Sequence, residues 1–186
     1  MSFMNINNLN YLETNNLILR KAKKDDLEYI WNNIWIDDDI ASNMLWKPTK
    51  TREDAITRLD RTIEYQSKNY SYFICLKSND EPIGFAGIVE KEPGIYEESG
   101  ICICRKYQKN GYAKEVVNVL KILVLEKLSA NRFLYGCFST NEPSRKVCLS
   151  QGFKYLNSSN VTRDWDNKEF VVDYYYFDKE MYKRKR

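Results

Sequence analysis

The segment Gln108-Lys109-Asn110-Gly111-Tyr112-Ala113 constrains this chain more than any other stretch. An apolar run, Ile101-Cys102-Ile103-Cys104, leads into it, and a long amphipathic run beginning at Lys114 follows it. Strand, turn and helix start are thus compressed into about a dozen residues. At such a junction the first N–H groups of the helix have no intrahelical acceptor, and they all point the same way. Together with the positive end of the helix dipole they form a site for phosphate or pyrophosphate. Gly111 admits a ligand close to the backbone, and Ala113 keeps the next turn slim. The chain therefore contains an anion cradle built mainly from main chain.

Several classes of protein are excluded at once. A Walker loop needs Gly-Lys-Ser/Thr, which is absent, and a dinucleotide fingerprint needs three glycines where this segment has one. The chain has no histidine, which removes Ser-His and Cys-His nucleophilic machinery. A zinc site would then need clustered cysteines, but the five cysteines (75, 102, 104, 137 and 148) contain no Cys-x-x-Cys pair. An odd cysteine count without a secretory signal predicts reduced thiols and a cytoplasmic protein. Lys+Arg 29 against Asp+Glu 26 gives +3, a balance that argues against nucleic-acid binding. No apolar run approaches the roughly 18 residues of a membrane span. The Asn-rich residues 1–10 and the basic residues 183–186 read as frayed tails around one domain covering 1–186.

Periodicity predicts an opening strand at Leu17–Arg20, a helix over 24–35 and a second helix over 51–68 begun by Thr51 with Asp54 three residues on. Strands follow at 70–76 and 82–90, then at 98–104. Lys114 to Leu128 carries one apolar stripe and is the clearest helix. A strand at 133–138, a helix at 142–151 and an aromatic strand at 170–177 complete the chain. This order implies one α/β layer structure with a mixed sheet. Alternation assigns Tyr174 to Phe177 mostly to sheet packing, and would also allow that final strand to pair across a homodimer.

The motifs, taken in order, resemble a known family. The loop fits Gln/Arg-x-x-Gly-x-Gly/Ala, which is similar to the acyl-CoA pyrophosphate loop of the GNAT acetyltransferases. Leu12-Glu13-Thr14-Asn15-Asn16-Leu17-Ile18-Leu19-Arg20 resembles the opening of the ribosomal-protein N-acetyltransferase branch. Pro82-Ile83-Gly84-Phe85-Ala86-Gly87-Ile88 resembles its hairpin strand, and Glu98-Ser99-Gly100-Ile101 its central strand. Asn141-Glu142-Pro143-Ser144 and Gly152-Phe153 match its later elements, so the likeness runs along nearly the whole chain.

The resemblance implies a single-domain GNAT-like fold: a mixed central sheet with two splayed parallel strands and helices on both faces. It implies transfer of an acetyl group from acetyl-CoA to a primary amine, on a protein N-terminus or a small molecule, by direct attack in a ternary complex without a metal. Pantetheine would pair with the main chain of Ile101, Cys102 and Ile103. Gln108, Lys109, Asn110, Gly111, Tyr112 and Ala113 would hold the pyrophosphate, with Lys114 adding charge. An alkylammonium must lose a proton before it attacks, and without histidine a carboxylate is the natural base. Glu98, at the head of the central strand, takes that role; Glu97 is out of phase and should face away. A hydrated strand-end carboxylate is the plainer alternative for Glu98. Ser144 is the donor to the departing thiolate, and Asn141 bonds pantetheine, caps its helix, or does both. Many relatives place a tyrosine four residues before Gly-Phe, where this chain has Cys148. Met44, Leu45 and Trp46 would fall in the acceptor wall. The alternative is a module of the same fold that binds acyl-CoA without catalysis.

Overall fold

The computed structural model describes residues 5–184. The chain opens with three short strands, β1 (Asn5–Asn8), β2 (Tyr11–Glu13) and β3 (Leu17–Arg20). A helical segment follows, with α1 (Leu27–Ile30) continued by a π-helical turn at Trp31–Trp35, then α2 (Asp38–Ser42) and α3 (Arg52–Lys68). Strands β4 (Ser71–Leu76), β5 (Pro82–Glu92) and β6 (Ile95–Ile103) lead to α4 (Tyr112–Ile122), prolonged by a π-helical turn at Leu123–Lys127. The chain ends with β7 (Arg132–Phe138), α5 (Glu142–Ser150), β8 (Lys154–Arg163), β9 (Lys168–Asp178) and α6 (Lys179–Lys183).

The described strands form one nine-stranded sheet in the order β1-β2-β3-β4-β5-β6-β7-β9-β8. Each neighbouring pair is antiparallel except β6 and β7, which are parallel and joined through α4. Four consecutive residues of β4, Tyr72 to Cys75, are fully buried, so this part of the sheet is covered on both faces. Val116, Val117, Leu120, Leu123 and Val124 on α4 and its extension sink into the same core. Thr51 caps α3 as its sequence suggests: Oγ1 accepts from the Asp54 N–H at 3.2 Å and donates to the Asp54 carboxylate at 2.7 Å.

Three expectations change. Asn5–Asn8 is a strand paired with β2, not a loose tail, because Ile6 is buried in the core. Residues 1–4 and 185–186 lie outside the described residues. Strand β9 is flanked by β7 and β8, so its backbone is already paired on both sides and cannot join a second copy; the sheet edge there is β8. β8 itself escaped prediction because nearly all of it is exposed, leaving no inside-outside alternation to read.

Candidate active site

The only parallel contact among the described strands is short. β6 and β7 pair at Ile95↔Arg132, Tyr96↔Phe133 and Glu97↔Leu134, and the ladder stops there. A β-bulge lies immediately beyond: Ala86↔Ile101 and Ile88↔Glu98 are successive pairs, so β6 carries one residue more than β5, at Ser99-Gly100. Gly100 has φ +113°, a conformation side-chain-bearing residues rarely adopt. Where the rungs end, the Glu98 carboxylate takes their place. It accepts the Gly100 N–H at 2.7 Å and also a main-chain N–H from Gly136 on β7. From this wedge outward the strands diverge.

Alternation along β6 decides which groups face the gap. The Cys104 N–H donates to the Ile83 carbonyl at 2.8 Å, which sets Cys104, and hence Cys102, as the residues bonded to β5. The main-chain groups of Ile101 and Ile103 therefore point toward β7, where no strand meets them. Of the three strand residues the sequence singles out, two present backbone to the gap. Cys102 contributes only its small buried side chain to the cavity wall.

The loop after β6 follows the same logic. Lys109 and Gly111 both have left-handed backbone, φ +65° and +82°, and they turn the chain into α4 with Gly111 as N-cap. None of the main-chain N–H groups from Lys109 to Ala113 meets an acceptor among the described residues. A Cβ at Gly111 would meet nothing within 4 Å, so the space over these donors is open. Gln108 turns inward instead, donating from Nε2 to the Ile103 carbonyl at 2.9 Å and pinning the loop to the strand. Asn110 folds back onto the carbonyls of Tyr107 and Gln108 and does not line the cavity. Lys109, Tyr112, Ala113 and Lys114 do line it.

Two cavities meet across the gap. One, of about 850 Å³, runs from the loop along Ile101–Ile103. The other, of about 320 Å³, lies beyond Glu98 beneath Met44, Leu45 and Trp46. They share Asn43, Met44, Ile101, Tyr135, Asn141 and Ser144 as common walls. Asn141 caps α5 through Oδ1, which accepts the Ser144 N–H at 3.2 Å. Its amide nitrogen has no acceptor among the described residues, so the cap leaves a donor open to the cavity. The Ser144 hydroxyl lies 2.8 Å from the Tyr135 phenol.

Tyr135 is the residue that sequence reading missed. It alternates in β7 with buried Phe133 and Cys137, so it looks like ordinary packing. The phenol absent at position 148 thus arrives from the strand instead. Burial, with the nearby Glu98 carboxylate, pushes its pKa up and keeps it protonated, although the Ser144 hydrogen bond opposes this. Burial likewise pushes Glu98 up to about 7, with Glu97 adding to the shift and the Gly100 and Gly136 N–H groups opposing it. Glu97 is held by Lys91 at 3.6 Å, yet it borders the smaller cavity, against the expectation that it faces away. The acidic run at 37–39 is occupied: Asp37 caps α2, Asp37 and Asp39 hold Arg105, and Asp38 holds Lys50.

Residues 16–154 match the model of the acetyltransferase (GNAT) domain. The chain belongs to the GNAT acetyltransferase family. A comparison with curated protein sequences gives no match. Among solved structures, an acetyltransferase of the family from Bacillus anthracis superposes with a TM-score of 0.79 at 19% identity, over 91% of this chain and 99% of that one. A spermidine N-acetyltransferase from Vibrio cholerae, solved with CoA and spermine, gives 0.72 at 17% identity over 89% and 97%. A ribosomal alpha-N-protein acetyltransferase in complex with coenzyme A gives 0.73 at 15% identity over 90% and 96%. At these identities the structural likeness carries the fold, and the matched domain carries the family.

Proposed function

We propose that this GNAT protein transfers an acetyl group from acetyl-CoA to a primary amine by direct attack. The observation that carries this reading is the position of Glu98: a carboxylate with a pKa near 7, set where a basic cleft meets an apolar one. The family membership, and solved relatives holding CoA with spermine or acting on a ribosomal alpha-N terminus, favour an acyl-CoA donor and an amine acceptor.

The larger cavity fits such a donor on its own chemistry. Unpaired N–H groups at Lys109–Ala113, with Lys109 and Lys114 beside them, suit a pyrophosphate. The main chain of Ile101, the Ile103 N–H and the free Asn141 amide face the gap and suit the two amides of pantetheine. When bound, acetyl-CoA supplies the activated acyl group. Glu98 accepts the proton of the incoming ammonium; at neutral pH about half of it is ionised and ready to do so. An open N–H of β6 polarises the carbonyl under attack. Tyr135 keeps its proton and donates to Ser144, which aims the serine O–H at the departing sulfur. A thiol of this kind has a pKa of about 8.5, so one hydrogen bond suffices to ease its departure.

The test is a thermal-shift titration with acetyl-CoA, followed by a thiol-release assay over a panel of primary amines. Saturable stabilisation and amine-dependent thiol release are expected. Stabilisation without release from any amine would reassign the protein as a binding module of this fold.

A further inference from the structure

The two cavities differ sharply in charge, and the difference bears on the acceptor. The donor side is bordered by Arg105, Lys109 and Lys114 against a single acid, Asp39. Among the described residues the acceptor side has no cationic lining residue, and the charged ones are Glu97 and Glu98. Lys91 lies 3.6 Å from Glu97, so Glu98 is the lining carboxylate without a cationic partner among the described residues. The remaining walls are mostly apolar or aromatic, with Trp46, Phe85, Phe138, Val161, Val172 and Tyr174 surrounding the space.

These walls are braced rather than loose. The Arg58 guanidinium stacks between Trp35 and Trp46, 4.5 Å from each ring, and bonds Thr49 Oγ1 at 2.9 Å. Trp46 meets Phe85 edge-on at 6.4 Å, and Phe138 stacks on Phe170 at 4.2 Å. Arg163, at the end of β8, donates to the carbonyls of Ala41 and Met44 at 3.2 and 3.1 Å while Asp166 holds its other face. The β8–β9 hairpin is thereby locked to the loop carrying Met44–Trp46. The space these walls enclose measures about 320 Å³.

We propose that the acceptor is a primary amine carried on a single large apolar body, of aromatic or branched aliphatic type, entering this cavity amine-first toward Glu98. The proposal rests on the acetyltransferase reading and narrows its substrate. A polyamine needs a second anionic partner along its length, and the lining offers none beyond the Lys91-bound Glu97. A phosphorylated acceptor needs a cation, and an amino sugar needs many polar partners in place of these rings. An aromatic or branched body displaces water from the walls while its ammonium reaches the carboxylate. The same chemistry occurs in a free arylalkylamine and in a peptide N-terminus whose first side chain is large and apolar.

The experiment compares phenethylamine, isoamylamine, spermidine, glucosamine and two short peptides, beginning Phe-Ser and Gly-Ser, by thiol release at saturating acetyl-CoA. Amine binding is followed separately by quenching of tryptophan fluorescence with no acetyl-CoA present. Phenethylamine or the Phe-first peptide should exceed spermidine and glucosamine by about 30-fold or more in kcat/KM, and whichever of the two leads identifies the source. Leu45→Glu places a new acid on an exposed part of the wall, so folding is undisturbed; it should narrow the gap to spermidine about tenfold. Preference for spermidine or glucosamine by the unaltered protein, with acetyl-CoA bound, overturns the proposal and leaves the acetyltransferase reading intact. Failure to bind acetyl-CoA defeats that reading instead. In that case saturable quenching by phenethylamine, but not by spermidine, still supports the cavity assignment, and its absence overturns it.

Discussion

Replacing Glu98 with glutamine separates the catalytic reading from a structural one. Burial raises this carboxyl from 4.5 to about 7, a shift worth about 3 kcal/mol at about 1.4 kcal/mol per unit. For an acid raised on folding, the stability contribution is complete below the unfolded pKa and is lost as pH climbs through the folded one. The unaltered protein should therefore lose up to about 3 kcal/mol between pH 4.5 and pH 7 from this group alone. Glu98→Gln carries no charge to bury, and its carbonyl can still accept from Gly100 and Gly136. The variant should melt about 6–10 °C higher than the parent at pH 8 and match it near pH 4. Its activity should move the other way, falling about 10²- to 10⁴-fold. In the parent, kcat/KM should rise about tenfold from pH 6 to pH 8 as the carboxylate ionises, and that limb should vanish in the variant. Melting curves and pH–rate profiles of both proteins decide the matter. A variant that is less stable at pH 8, or one that keeps the limb, would refute the idea of a base held against its solvation.

Five other substitutions probe the surrounding frame. Gly84→Ala puts a Cβ 2.1 Å from the Cys102 carbonyl, forcing β5 off β6; urea titration should show a loss of about 3 kcal/mol or more. Gly111→Ala meets no neighbour and should cost only the left-handed strain, about 1–2 kcal/mol, in the same titration. Ser144→Ala and Tyr135→Phe should each lower kcat by about 10- to 100-fold with the KM for acetyl-CoA little changed. Steady-state kinetics of the double variant should show no further loss, since the two hydroxyls act as one unit. Arg163→Met takes the side-chain donor from the Met44 carbonyl and one of two donors from the Ala41 carbonyl and Asp166, and urea titration should show a loss of about 1–3 kcal/mol. It should also raise the KM for the amine more than that for acetyl-CoA, because only the acceptor side loses its brace.

What the sequence conveys and what it hides divide along physical lines. Gly111, the stripe of α4 and the Thr51 cap are local features, set by backbone conformation and 3.6-residue periodicity, and each could be read directly. Glu98 and Ser144 came from family likeness, and the fold brings them to the same gap from separate elements. Tyr135 stayed hidden because its alternation in β7 is the same whether its hydroxyl does chemistry or merely packs. The role of Cys102 differed from that of Ile101 and Ile103 because hydrogen-bond phase depends on a pairing partner far away in sequence. β8 has no readable pattern because it forms only by lying against β9.

Three rungs between β6 and β7 make the sheet, mechanically, two plates joined along a short seam. An extended guest with its own amides, lying along Ile101 and Ile103, would serve as a detachable strand and lengthen the seam. Hydrogen exchange at those two positions should then report guest concentration long before it reports global unfolding. The core beneath α4 already joins the plates, so the guest would tighten the mouth of the gap rather than the body of the sheet.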